Sequence, residues 1–497
     1  MNNISPILRG SYRLLLFLLL AARAEAFWML NTVAKLDGTT GKWCEAGVIK
    51  GPDGCLYGVA QTGGTNLSPL GVGYGTIFRV ETNGGVTPLL NFNGTNGSYA
   101  SGTLQRGGDG NLYGSTLFGG NGFNGGLNSG FGTLFRISTA GDFTTLLKFD
   151  GTNGANPYAQ LTLATDGFLY GTTTQSISNS VTGAGGKGTI FRLSTNGEFA
   201  TLFRFDGTNG ASPGGKLLEL DGSFYGTTSE GGVSNLGSIF NFSTNGTLAT
   251  KASFVGTNGS SPLAGLNIGA DGQLYGTTVG GGAGYGTVFR FATNGVLAML
   301  HAFTEVDGHF ADGLLALGQD GILYGTTANG GRSFSFPGGD HSGTIFQVTT
   351  NGVVTSLLSF NNYNGRVPIA GLFADADGSF YGTTSGGGGL DATVFRLSGG
   401  ESPLIENPEI VVYDDGDRYY RWIRFQWQAL AGVSYGVEFN STLDPQGWSY
   451  DPNYGPYLIA VSPTNCVMNS MVDFPSSDPF RMGSEEQRYF RLVLMPP

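Results

Sequence analysis

Short apolar runs rich in Thr, Val, Ile, Phe and Tyr alternate with glycine clusters along most of the chain. Such runs suit pleated strands, and the glycine breaks suit tight turns. The pattern is written in phrases that return in a constant order. "DG-x-[LF]-YG" begins at Asp53, Asp109, Asp166, Asp221, Asp271, Asp320 and Asp377. A second phrase, "GT[ILV]F", follows at 75–78, 132–135, 188–191, 286–289 and 343–346, with the variants "GSIF" at 237–240 and "ATVF" at 392–395. "TNG" or "TAG" comes third in the first six copies, and an apolar run ending in Phe closes the unit, usually before "GTNG".

Each unit predicts four short strands. The first runs into the Asp-Gly turn, as in "LLALGQDG"; the second is "LYGTT", the third "GTIFRVT", and the fourth follows the Asn-Gly turn, as in "VVTSLLSF". Asp and Asn tolerate the positive φ of a hairpin turn, and glycine prefers it. "TIF" is apolar on consecutive residues, so both faces of that strand are expected to be covered. Four-stranded units at a period of about 50 residues, covered on both faces, describe the blades of an all-β propeller.

Seven copies give seven blades, and the ends of the repeat region support a closed ring. The segment 31–41, "NTVAKLDGTTG", reads as a fourth strand with no first three before it, whereas the seventh copy stops after its third strand. The N-terminal strand is therefore expected to complete the last blade beside 392–398, for 28 strands in all. An open solenoid is the alternative architecture.

Successive Asp residues of the first phrase are 56, 57, 55, 50, 49 and 57 apart. Between the "YG" glycine and the "GT[ILV]F" phrase lie 16, 17, 16, 10, 9 and 17 residues, and the differences are all 39 or 40. Length variation is thus confined to the loop between strands two and three. That loop shares a face with the "GTNG" connectors, opposite the Asp-Gly and Asn-Gly turns. Variation on one face of a repeat protein marks a binding face, or mere tolerance of glycine-rich loops.

Composition changes the picture in three ways. Only 12% of the 497 residues are charged, while 87 are glycine without a period of three, which excludes collagen. The net charge of −11 is spread without a basic stripe, which argues against nucleic acid as a partner. Arg9 and Arg13 precede the apolar run 14–22 and "AEA" at 24–26, a secretory leader expected to be cleaved after Ala26. No later segment is long and apolar enough for a membrane helix. The three cysteines, Cys44, Cys55 and Cys466, read as small buried residues.

With these phrases in hand, residues 31–398 resemble the GloVer (Gloeobacter/Verrucomicrobia) tandem-repeat family of exported bacterial proteins, through "DGxLYGTTxxGG…GTIFRxxTNG". The resemblance implies an exported protein with a propeller-like repeat region and no enzymatic activity. Members typically close on a surface-sorting signal, a pattern that "QRYFRLVLMPP" does not match. The region with Trp422, Trp427 and Trp448 resembles the small C-terminal β-sandwich of many exported verrucomicrobial proteins. The expected organisation is a signal peptide at 1–26, the propeller at 27–398, a linker at 399–409, and an immunoglobulin- or fibronectin-like β-sandwich at 410–497.

Candidate chemistry was sought among polar residues that break the repeat. His301 falls where other units carry Leu90, Leu147 or Leu358, and reads as a core histidine. Asp307 and His309 lie in the connector entering unit six, and Asp340 and His341 in its long loop. These four are the candidate ligand-binding residues, on one face of one blade. No catalytic residue, metal site or cofactor is assigned, and the repeated Asp reads as a turn residue. "YDDGDRYY" at 413–420 lacks calcium-loop spacing, and no nucleophile elbow or phosphate loop occurs.

The resulting expectation is a monomeric, non-catalytic binding or structural module, secreted or held at the cell surface. Its partner is an extracellular polysaccharide or a surface protein, taken through the variable-loop face. The alternative is a carbohydrate-active enzyme, a glycoside hydrolase or polysaccharide lyase, whose mark would be paired carboxylates at the channel mouth.

Overall fold

In the computed structural model the described residues are 27–176, 186–331, 342–360, 364–386 and 392–400, followed by C-terminal strands between 405 and 495. All regular elements among them are strands. Seven four-stranded antiparallel sheets succeed one another, each built from four strands in order. In blade 1 these are Ile49–Lys50, Leu56–Ala60, Thr76–Val80 and Val86–Asn91. The seventh sheet is completed by Phe27–Lys35, which lies beside Thr393–Gly400. The Leu36 N–H continues that closure by donating to Ala392 O at 2.9 Å. The chain is a closed seven-bladed propeller whose N-terminal strand finishes the last blade.

The repeated phrases are explained by contacts between them. The glycine of "YG" pairs across the sheet with the phenylalanine of "TIF", as Gly171 does with Phe191. A Cβ on Gly171 would stand 2.5 Å from Phe191 Cζ, so a side chain there would expel the ring. That ring is fully buried and meets the phenylalanine that ends the outer strand of the preceding blade. Phe149 and Phe191 have ring centroids 5.6 Å apart, and the pair recurs in Phe254–Phe289 and Phe303–Phe346, both at 5.1 Å. Edge-on ring packing of this kind adds to the burial of each side chain and holds blade to blade.

The repeated Asp is held by the Tyr four residues on. The Tyr170 hydroxyl donates to Asp166 Oδ2 at 2.7 Å, and the same bond forms in four other blades. Threonines of the second and third strands bond inside the sheet, as Thr173 and Thr189 do at 2.8 Å. Blade 4 departs at its first hairpin. Leu220 pairs directly with Ser223 across a two-residue Asp-Gly turn, whereas Leu163 pairs with Leu169 in blade 3. Asp221 takes φ 51° there, as a tight primed turn requires. This one-residue contraction accounts for the single 39 among the 40-residue remainders.

Residues Leu30–Ser398 form one compact unit. The second unit holds two three-stranded sheets. One joins Ile405–Asp414, Tyr419–Trp427 and Cys466–Asp473; the other joins Leu458–Ile459, Ser434–Asn440 and Tyr489–Met495. The stretch read as a linker, 399–409, thus runs into a strand that begins at Ile405. The leader at 1–26 lies outside the described residues. Cys44 and Cys55 are both buried free thiols.

Candidate binding site at the channel mouth

The inner segments of the seven blades enclose a cavity of about 370 Å³. Equivalent positions on these segments form rings around it. The ring nearest the variable-loop face holds Glu45, Ser101, Tyr158, Gly214, Leu263, Asp312 and Ile369, from blades 1 to 7 in turn. Two residues deeper, blade 4 contributes Lys216. The scaffold repeats seven times, but these side chains do not, so the cavity is chemically asymmetric.

Its electrostatics follow from enclosure. Asp312 keeps a window onto the channel but is otherwise surrounded by protein and takes no hydrogen bond from the described residues. Burial, together with the charge of Glu45, pushes its pKa up to about 7. Burial also raises Glu45, opposed by a hydrogen bond from Gln61 Nε2 to Glu45 Oε2 at 2.6 Å. Gln61 is only 2% exposed, and its Oε1 accepts nothing among the described residues. Burial raises Tyr158 as well, with smaller contributions from the charges of Asp312 and Glu45. Lys216 is lowered by burial alone and makes no ion pair with a described residue. The cavity therefore combines two coupled carboxyls, a tyrosine hydroxyl and a separate amine.

A second ring stands two residues before the first. Trp43, Tyr99, Asn156, Ser212, Ser261, Phe310 and Val367 all have φ between 52° and 61°. Of 55 described residues with positive φ, 46 are glycine, and seven of the other nine fall on this ring. The left-handed conformation costs an L-residue about 1–2 kcal/mol. It is held by paired backbone bonds. The Phe310 N–H donates to Tyr285 O of the preceding blade at 3.2 Å, and Phe310 O accepts from Ala328 at 3.0 Å. Strain of this kind persists where surrounding structure over-determines it and is enriched at functional sites. In a chain so rich in glycine, all seven positions of this ring carry a side chain despite the left-handed backbone.

The same face collects exposed apolar surface. Eleven large hydrophobic residues are exposed among those described, and eight belong to this face. They are Trp43 and Phe310 on the ring, Leu67, Leu70, Val72 and Val233 in loops between strands two and three, and Val255 and Val306 in connectors. Exposed apolar surface gathered on one side of a molecule marks a contact face.

The residues singled out from the sequence are placed differently. Asp307 occupies the connector position held elsewhere by Asn, and its Oδ1 accepts from the Thr304 N–H at 2.6 Å and the Thr304 hydroxyl at 2.8 Å. Its Oδ2 stands 2.7 Å from His301 Nε2. Burial alone would raise the Asp307 pKa, but the bonds from His301 and Thr304 outweigh it and leave the group lowered. His301 pairs with Val288 at the register expected from the leucines, yet its side chain is 26% exposed and bonded to Asp307, so it is not a core histidine. The outer-strand position is only half-buried where Leu90, Leu147 and Leu358 occupy it, and Asp307 gives the imidazole a bonding partner there. His309 exchanges backbone hydrogen bonds with Asn329, and its ring contacts Tyr285 and Phe310. Asp340 and His341 lie outside the described residues. No group of three or more His, Cys, Asp and Glu suited to a metal occurs among the described residues.

Sequence reasoning missed Glu45 and Asp312. Their signal was available once the inner segments are aligned on the buried Val48, Leu104, Leu161, Leu217, Leu266, Leu315 and Leu372. Glu45 and Asp312 then fall in one column and carry its only carboxylates.

The strand order and this channel define the class of the protein: a seven-bladed propeller with a chemically asymmetric cavity at its axis. Within that class, the chain belongs to the Gloeobacter/Verrucomicrobia repeat family, whose model matches residues 24–182 and 178–336. No curated protein matches it in sequence. Among solved structures it is similar to a gluconolactonase from Xanthomonas campestris at 13% identity and a TM-score of 0.40, covering 77% of this chain and 93% of the other. A puromycin hydrolase matches at 12% identity and a TM-score of 0.46, covering 79% of this chain and 61% of that one. A PL25 ulvan lyase matches at 12% identity and a TM-score of 0.31, covering 78% and 92%. None of the three bears on what this chain binds or does.

Proposed function

We propose that the chain is an exported, non-catalytic binding protein that takes a carbohydrate at the channel mouth. One observation carries the reading. A scaffold built seven times alike surrounds a cavity of about 370 Å³ whose polar side chains come unequally from the blades, with carboxyls on blades 1 and 6, a tyrosine on blade 3 and an amine on blade 4. A cavity of this size suits a small ligand or the end of a polymer. The exposed apolar residues of the same face, Trp43 and Phe310 among them, offer surfaces on which a sugar ring stacks. Export is supported by the leader pattern of Arg9, Arg13 and the run 14–22. N-terminal sequencing of secreted material should begin at Phe27.

The test is a glycan-array screen of residues 27–497, with and without calcium. A specific hit lost on shortening the loops at 61–75 and 119–132, which lie between the second and third strands of blades 1 and 2, supports the reading. A hit that survives those deletions and the double substitution E45Q/D312N places binding elsewhere. No hit removes carbohydrate as the ligand.

A second reading, a carbohydrate-active enzyme, is favoured by Asp312. With a pKa raised to about 7 beside Glu45, it is poised to give and take a proton near neutrality. Turnover of a bound glycan, abolished by D312N with binding retained, would establish it. Binding without release of new ends would exclude it for that glycan.

A further inference from the structure

We propose that the group recognised at the channel mouth is a protonated amine carried on a sugar ring, which makes the ligand a saccharide with free amino groups. This inference rests on the reading of the mouth as a carbohydrate site. It starts from an imbalance. Glu45 and Asp312 sit on blades 1 and 6 with only Ile369 of blade 7 between them in the ring. Burial disfavours ionisation of both, the charge of Glu45 adds to it at Asp312, and no cation of the described chain answers them. Among the described residues of the propeller, ion pairs join Lys50 to Asp375, Arg79 to Asp53 and Glu81, and Arg396 to Asp377, while His301 bonds Asp307. None includes Glu45 or Asp312. Lys216 lies deeper on blade 4 and makes no bond to either carboxyl.

The remaining polar atoms of the pair are acceptors. Asp312 has no donor among the described residues, Glu45 has only the Gln61 amide, and Gln61 Oε1 is buried without a partner. Carboxyls enclosed without a counter-charge are costly, and a group that only donates relieves them. An ammonium does so with three N–H bonds and a full charge. A neutral hydroxyl supplies no charge, and a uronate or sulfate is repelled.

The left-handed ring points to the same chemistry. Phe310, Val367, Trp43 and Tyr99 occupy four consecutive blades, 6, 7, 1 and 2, around the two carboxyls. Blades 3, 4 and 5 carry Asn156, Ser212 and Ser261 instead. An apolar, largely aromatic arc two residues out along the chain from the carboxyls suits a cation carried on a ring better than an anion. It also offers a surface for the sugar ring that bears the amine. The other titratable groups that feel these charges are Tyr158, raised by burial and then by Asp312 and Glu45, and Tyr99 and Cys44, each raised by burial and then by Glu45, so all three are neutral near pH 7.

Binding an ammonium draws Asp312 into its charged form and expels the proton it holds near neutrality. Titration calorimetry tests this at pH 6 with residues 27–497, in two buffers of different ionisation enthalpy. The probes are a β-1,4-linked glucosamine tetramer and its fully N-acetylated counterpart. The amine form should bind at least about tenfold more tightly. E45Q and D312N should each weaken it by about tenfold without lowering the unfolding temperature. Wild type should release protons on binding the amine, and D312N should release fewer. Equal affinity for both probes, or full binding by the double variant E45Q/D312N, overturns the amine inference and leaves the carbohydrate reading standing. So does a glycan-array hit confined to neutral or acidic sugars. Failure of every glycan overturns both.

Discussion

The two faces of the propeller are made in opposite ways. On the turn face, one device recurs: Tyr57, Tyr113, Tyr170, Tyr275 and Tyr324 each bond the Asp that opens their own hairpin. On the variable face the backbone is just as regular, since all seven ring residues share a narrow range of φ, yet their side chains run from Ser to Trp. The first face repeats residue and conformation together. The second repeats conformation and frees the residue. A repeat scaffold can thus hold strict geometry at the places where identity is open, which is the arrangement a recognition surface needs.

That contrast can be broken in order of expected effect. Removing residues 27–35 leaves blade 7 with three strands and an open edge, which neither face can compensate. Calorimetry should then show an unfolding temperature lower by on the order of 10 °C or more, or an aggregating protein on size exclusion. Unchanged unfolding would mean that the closing strand is dispensable. Phe191→Ala removes a fully buried ring shared by two blades and should cost about 3–5 kcal/mol in denaturant unfolding. Tyr170→Phe removes only the bond to Asp166 and should cost about 1–2 kcal/mol. If the second loss equals the first, the turn face carries more of the fold than its hydrogen bonds account for.

On the variable face the expected sign reverses. Asp312 keeps its proton to about pH 7 in the folded protein, whereas an unfolded aspartate loses it near pH 4. Between those values the folded state binds more protons, so this group's contribution falls as pH rises, and the deficit is complete above pH 7. D312N should therefore raise the unfolding temperature by about 1–3 °C at pH 8, with the gain fading toward pH 4. A fall at pH 8 would show that the carboxylate is paired and would remove the argument for an unanswered charge. Ser212→Gly, at φ 52° with no side-chain bond of its own, should gain up to about 1 kcal/mol, less the added entropy of the unfolded chain. A loss there would mean that the ring is not strained.

Much of this was legible before any coordinates. The Asp-Gly and Asn-Gly turns announce their hairpins locally, and "YG" and "TIF" are each other's cross-strand partners, so they recur together. The incomplete units at the two ends of the repeat region foretold the closing strand. The candidate site was less legible. Asp307 is legible as a carboxylate in the connector entering unit six, but there it holds the same turn through Thr304 that Asn holds in other connectors and adds only His301. Glu45 and Asp312 drew no notice because each sits in a segment with no motif of its own.

The blade, the number of blades, the face that varies and the strand that closes the ring are all readable from the order of residues. The blade and the varying face follow from pairings a few to a few tens of residues apart, whose hydrogen-bonding and apolar patterns are written side by side; the closing strand, whose partner Thr393–Gly400 lies at the far end of the repeat region, follows from the two incomplete units. Only the tertiary structure decided which side chains share the axis. Glu45 and Asp312 are separated by 267 residues in the chain and brought to one cavity by closure of the ring. Their coupling arises from that enclosure, because two carboxyls far apart in water scarcely interact, and in a walled channel they do.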